Sequence, residues 1–135
     1  MDGLPVASPW PATASDLLFR EATEADVEAL LAFRNDPEVN RFMVRTHVDP
    51  EDLRREVLAS PMSPTDYSCV VERDGHVVAM GFLDVVDGAG QPGHPRGTDG
   101  VIGYVVRSDA ARQGVGTATA SALLHAAFER LGLRR

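Results

Sequence analysis

The chain of 135 residues contains no lysine; its 13 basic side chains, all arginine, face 20 acids, for a net charge of −7. That balance leaves no continuous basic face for nucleic-acid phosphates and argues against DNA or RNA as a partner. The single cysteine, Cys69, cannot form an internal disulfide. It reads as a small buried hydrophobe and fits a reducing compartment, so a cytoplasmic location is expected. No apolar run approaches the ~20 residues that cross a bilayer, and the start lacks the basic-then-apolar pattern of a secretory leader, so no membrane partner is expected. The four histidines, at positions 47, 76, 94 and 125, have no metal-ligand spacing, and no metal is expected.

What is present reads as one domain. A hydrophobic content of 44% and a charged content of 24% are those of an ordinary globular chain, whose length supports one modest core. Residues 1–16, with three prolines, are expected to form a flexible N-terminal arm, and 17–135 the folded domain. Leu17 to Glu21 reads as a first strand. Thr23 and Asp26 form a capping pair ahead of a helix reaching about Arg34, with Val27, Leu30 and Leu31 inward, and Asn35-Asp36-Pro37 stops it. A short helix is expected around Val39 to Met43. Asp49-Pro50-Glu51-Asp52 combines an N-cap, a proline at the first helical position and acids in the first turn, opening a helix whose inward side is Leu53, Val57 and Leu58. Two strands follow, Tyr67 to Glu72 and Val77 to Val86, joined by the tight turn Asp74-Gly75. Gly81 within the second marks a bulge or a close backbone approach. Asp87 to Thr98 is a loop rich in Gly and Pro.

The last stretch carries the chemistry. Val101 to Val106 is a β-branched strand, Arg107 to Gln113 a polar loop, and Gly114-Val115-Gly116 the mouth of a helix. Ala120, Leu123, Leu124, Ala127, Phe128 and Leu131 recur at helical spacing as its inward face, while Thr117, Ser121, His125 and Glu129 share a solvated one. Strand, glycine loop and helix together suit an anion. The first N–H groups of a helix have no intrahelical acceptor, the dipole adds partial positive charge, and glycine lets the anion approach. A dinucleotide-binding reading of Gly114-x-Gly116 fits poorly, because Thr119 stands where a third glycine is needed.

Three segments together resemble the GNAT acyltransferase superfamily, in the branch that acetylates ribosomal-protein N-termini: Leu31 to Met43 (LAFRNDPEVNRFM), Ile102-Gly103-Tyr104, and Arg112 to Ala118 (RQGVGTA). The resemblance runs from about Leu17 to Arg135. It implies an α/β fold, a mixed and mostly antiparallel sheet flanked by helices, and an enzyme that moves acetyl from acetyl-CoA to a primary amine of a protein N-terminus or small molecule. It further implies that the amides of Gln113, Gly114, Val115, Gly116, Thr117 and Ala118 bind the coenzyme A pyrophosphate, with Arg112 adding a charged contact. Val105, Val106 and Arg107 would pair their backbone with the pantetheine amides, and the Val105 N–H would face the developing oxyanion. Phe33, Asn35 and Arg41 would line the acceptor pocket. Relatives often carry an acid just before the Ile-Gly-Tyr; here Val101 takes that place, and Asp99, two residues earlier on the same side of the strand, is the candidate base. Tyr104 is expected in the core. The loop departs from the family's pattern at Ala111, for which Arg112-Gln113 reads as a shifted substitute.

Members of the family continue past this helix with a fifth strand parallel to the fourth, whereas the sequence ends at Leu133-Arg134-Arg135. The expectation is therefore a domain lacking its C-terminal strands, either inactive alone or completed by a homodimer partner or another chain. The alternative is a non-catalytic coenzyme A-binding or assembly module derived from such a domain.

Overall fold

A computed structural model describes residues 8–43, 46–88 and 97–135; the expectations for residues 1–7 and for the loop at 89–96 lie outside them. Five strands, β1 (Ala12–Ala14), β2 (Leu17–Arg20), β3 (Cys69–Arg73), β4 (His76–Val86) and β5 (Asp99–Val106), form one sheet in the order β1-β2-β3-β4-β5. Every neighbouring pair is antiparallel. Helices α1 (Val27–Arg34) and α2 (Pro50–Ala59) pack on one face and α3 (Val115–His125) on the other.

This layering follows from the strand patterns. β3 and β4 lie mid-sheet and are covered on both sides, so Cys69-Val70-Val71 and Val77-Val78-Ala79-Met80 are buried throughout instead of alternating. Val70, Val77, Met80 and Val105 meet Leu30, Phe33, Leu53 and Val57. On the opposite face Cys69, Val71, Ala79 and Leu83 meet Val115, Leu123, Ala126 and Ala127. The β3–β4 turn needs positive φ at both central residues, and Asp74 (52°) and Gly75 (80°) supply it. Asp49 caps α2 by accepting from the N–H groups of Glu51 (3.0 Å) and Asp52 (3.2 Å). Asp26 accepts from the Thr23 N–H (2.7 Å) and binds the Arg20 guanidinium through both oxygens (2.8 and 2.9 Å), tying β2 to the start of α1. The bulge lies at Val78, which the register skips between Glu72↔Val77 and Val71↔Ala79. Gly81 instead marks a close approach: a Cβ there would lie 3.0 Å from Cys69 Sγ and 3.2 Å from Leu123 and Thr119 of α3.

Four expectations are corrected. The arm is ordered from Ser8 on: Trp10 is buried, its indole N–H donates to the Tyr67 carbonyl (2.8 Å), and Ala12–Ala14 adds an edge strand, so the strand expected as fourth is β5. Val39 to Met43 forms turns, because the Asn40 amide donates to the carbonyls of Arg34 (2.5 Å) and Thr46 (3.0 Å), holding the chain out of a helix. Leu58 of α2 is exposed, as are Leu124 of α3 and Phe128 beyond it. Thr119 and Ala126 turn inward instead, small enough for the approach at Gly81, and the Thr119 hydroxyl is satisfied by the Val115 carbonyl at 2.8 Å. Tyr104 is 47% exposed, not core.

Beyond α3 residues 126–130 wind as a wider turn, with Leu131 N–H on the Ala126 carbonyl (2.9 Å). Gly132, at φ +69°, then turns the chain back so that the Leu133 N–H reaches Ala127 (2.9 Å). The last residues meet the start of β5: Arg134 donates to Thr98 and Gly100 donates to Arg135, both at 2.6 Å, the two segments running in the same direction.

Candidate active site

The glycine loop is built where β5 ends. Ser108 to Ala110 makes a single tight turn, Arg112 takes φ +63°, and Gly114 caps α3 at φ +82°. Nothing lies within 4 Å of a Cβ placed on Gly114, so the space above it is open. A Cβ on Gly116 would lie 2.9 Å from the Tyr104 ring, so the ring's position requires glycine there. Val115, Gly116 and Thr117 hold the first three N–H groups of the helix, which have no intrahelical acceptor. The Ala118 N–H is already spent on the Gly114 carbonyl at 3.0 Å, so the expected row of donors is one shorter. The Gln113 side chain braces the loop, accepting from Arg73 (2.8 Å) and donating to the Asp109 carbonyl (3.1 Å). Ser108 donates to Asp36 at 2.9 Å, fastening the loop to the end of α1. Arg112 is exposed beside it.

β5 leaves one edge open past its first residues. The Arg107 N–H points inward to the Val78 carbonyl (2.8 Å) and that of Gly100 outward to Arg135. Alternate residues of an antiparallel strand turn their backbone groups the same way. Val105 and Arg107 therefore face β4, and Ile102, Tyr104 and Val106 face the open edge. Of the three positions expected to pair with pantetheine, Val106 alone is so aimed, and the Val105 N–H cannot serve an oxyanion at that edge. The Arg107 side chain is held by the Val77 carbonyl (3.1 Å) and by Asp109 (2.5 Å).

Two of the expected acceptor residues hold structural contacts. Phe33 is buried in the core. The Asn35 amide bonds the backbone of Val48, donating at 3.1 Å and accepting at 2.7 Å. Arg41 is exposed and lies over the Phe42 ring. Asp99 is buried at the start of β5, accepting from the Thr98 hydroxyl at 3.1 Å, and at 3.4 Å per residue it stands about 24 Å along the strand from Val106.

Sequence reading missed a cavity of 160 Å³ between α2 and the β3–β4 part of the sheet, walled by Val57, Met80 and Phe82, with Asp66 and Asp84 among its lining residues. The available signal was Asp84, the one acid within the apolar run of β4. Among the described residues no group of His, Cys, Asp or Glu is arranged to hold a metal ion, and no helix is long and apolar enough to cross a membrane.

Comparison with known proteins places this geometry. Residues 16–135 match the acetyltransferase (GNAT) domain family model. No curated protein matches the chain. Among solved structures, a GNAT-family acetyltransferase from Bacillus anthracis superposes with a TM-score of 0.68 at 20% identity, covering 92% of this chain and 69% of that one. A ribosomal-protein-alanine N-acetyltransferase from Brucella melitensis gives a TM-score of 0.65 at 28% identity, covering 84% and 68%. An acetyltransferase from Thermus thermophilus gives 0.65 at 17% identity, covering 86% and 71%. With a glycine-capped helix set beside an open strand edge, and a family match over nearly its whole length, the chain belongs to the GNAT acetyltransferase domain family, whose members are N-acetyltransferases.

Proposed function

We infer that the protein moves acetyl from acetyl-CoA to a primary amine. The observation that carries this reading is the open space over Gly114, at the start of a helix whose first amides, those of Val115, Gly116 and Thr117, have no intrahelical acceptor. Gln113, Gly114 and these amides would hold the pyrophosphate, with Arg112 adding charge. The outward backbone groups of Val106 and Tyr104 would take the pantetheine amides as an added strand would. Bound acetyl-CoA supplies an activated acyl group; the chain's part is to orient it and to receive the proton the amine must lose. The Tyr104 N–H is the candidate donor to the acetyl oxygen, and Asp99, about 17 Å along β5 from it, is out of direct reach of an amine attacking there. The Brucella similarity favours a protein N-terminus within the acceptor class. The single buried, unpaired thiol of Cys69 supports a cytoplasmic location.

Thiol release from acetyl-CoA, followed with a primary amine present and absent, tests the reading. Amine-dependent release supports it; release unchanged by the amine contradicts it.

One observation favours association. Val101, Ile102 and Tyr104 are exposed on β5, the strand with the open edge, a surface suited to a second copy or another chain in a non-catalytic assembly. Light scattering decides: a dimer supports that reading and a clean monomer contradicts it.

A further inference from the structure

A cavity of 370 Å³ lies away from the glycine loop, between the edge strand β1 and one flank of α3. Its floor is apolar: Trp10 and Phe19 are buried there, and Ala118 and Ala122 of α3 pack on the same core. Its rim carries His125 and Arg130, and no acid stands among its described lining residues. In a chain with 20 acids against 13 arginines, that is a local reversal of charge. Neither basic side chain has an ion pair or hydrogen bond among the described residues, whereas Arg20, Arg54, Arg55 and Arg107 each pair with an acid.

The backbone sets the two basic residues together. In an α-helix a residue five positions on lies about 140° around the axis, so Arg130 would point away from His125. Residues 126–130 instead form the wider turn, with the Leu131 N–H on the Ala126 carbonyl, and this returns Arg130 to the rim that His125 occupies. Such turns are rare and recur at functional sites. The negative end of the helix dipole favours a cation here whichever way it points, so it does not account for both residues facing one cavity. An anion with an apolar tail satisfies rim and floor together. A cation would meet like charge, and a neutral chain would leave the rim unused. β1 stands four strand spacings, about 19 Å, from β5, so such a ligand is distinct from the acetyl donor at the open edge.

We propose that this cavity binds a carboxylate with an aliphatic tail, its head held by Arg130 and His125 and its tail lying over Trp10 and Phe19. The inference does not rest on the acetyl-transfer reading. Calorimetric titration of octanoate into the 135-residue protein, with 1-octanol and octyltrimethylammonium as controls of equal chain length, tests it. The expected result is saturable octanoate binding, at least about tenfold tighter than that of either control. Binding should weaken about three- to fivefold in Arg130→Gln and in His125→Gln, and about tenfold or more in the double variant, with melting temperatures unchanged. Ala122→Leu, which fills the floor with a good helix former, should abolish binding in a protein that still folds. Four results overturn the proposal: no octanoate binding by the folded protein, equal binding of either control, binding unchanged in the double variant, or displacement of octanoate by acetyl-CoA. Acetyl-CoA titrated into the octanoate-loaded protein separates the two claims. Octanoate bound without any acetyl-CoA binding would overturn the transfer reading alone.

Discussion

Gly81 and Gly114 are both glycine for reasons set by their neighbours, and the reasons differ. At Gly81 the sheet and α3 come so close that a methyl group meets Cys69, Leu123 and Thr119 at 3.0–3.2 Å. Two of those neighbours belong to a helix packed along the core and have little room to move, so Gly81→Ala is expected to destabilise by about 1–3 kcal/mol in urea denaturation; a neutral result would mean that α3 is loosely seated. Gly114 has room for a side chain but sits at φ +82°, which asparagine and aspartate tolerate better than most residues. From sequence both glycines stood out, yet only the ladder register separates the bulge at Val78 from the close approach at Gly81. Asn35 shows the same limit. Its place in a family-like segment suggested an acceptor contact, but its amide bonds the backbone of Val48 in both directions. Asn35→Ala is therefore expected to cost about 1–2 kcal/mol of stability, since two hydrogen bonds at about 1 kcal/mol each are lost; an unchanged urea midpoint would contradict a structural role.

Among elements, the junction of β2 and α1 depends on Asp26. Hydrogen bonds from Arg20, then from the Thr23 N–H, hold its carboxyl below the ordinary value. A carboxylate lowered in the native state adds stability that is present above the unfolded value of about 3.9 and is lost as pH falls through the native one. Asp26→Ala is expected to cost about 1.5–3 kcal/mol at neutral pH, the range for hydrogen bonds to a charged group. The melting curves of parent and Asp26→Asn should converge as the solution is acidified; a gap that stays constant would show that the charge is irrelevant. Asp84 acts in the opposite sense. Partial burial and the Asp66 charge raise its carboxyl, which removes stability as pH rises past the ordinary range, so Asp84→Asn should gain stability at neutral pH. The capped helices and the Asp74-Gly75 hairpin were legible in sequence because capping and turn chemistry act over a few residues. β1 and the turns at 39–43 were not. Trp10 is fixed by the Tyr67 carbonyl far along the chain, and the Asn40 amide competes with helical hydrogen bonds in a way periodicity does not reveal. Half of the inward face of α3 was legible, since Leu123 and Ala127 are buried and Leu131 packs on the same core. Leu124 and Phe128 are exposed because the approach to the sheet at Gly81 admits Thr119 and Ala126 in their place.

In the whole molecule, a sheet covered by α1 and α2 on one side and α3 on the other leaves β5 with one open edge, the start of α3 beside it and an acid-lined cavity one strand away. The glycine loop was readable from a local motif. The cavity was not, because Asp66 and Asp84 meet only through strand pairing. The central claim is that the amides at the start of α3 hold the coenzyme A pyrophosphate, and calorimetric titration of acetyl-CoA into the parent, Gly114→Asn and Gly114→Asp tests it most directly. The two variants are nearly isosteric, share a tolerance for the left-handed cap, and differ by one negative charge; aspartate should if anything favour the helix start. The expected result is saturable binding by the parent, retained within a few-fold in Gly114→Asn and weakened by a further tenfold or more, about 1.4 kcal/mol, in Gly114→Asp without a lower melting temperature. Folded protein that does not bind acetyl-CoA, or equal affinity in the asparagine and aspartate variants, would contradict the claim.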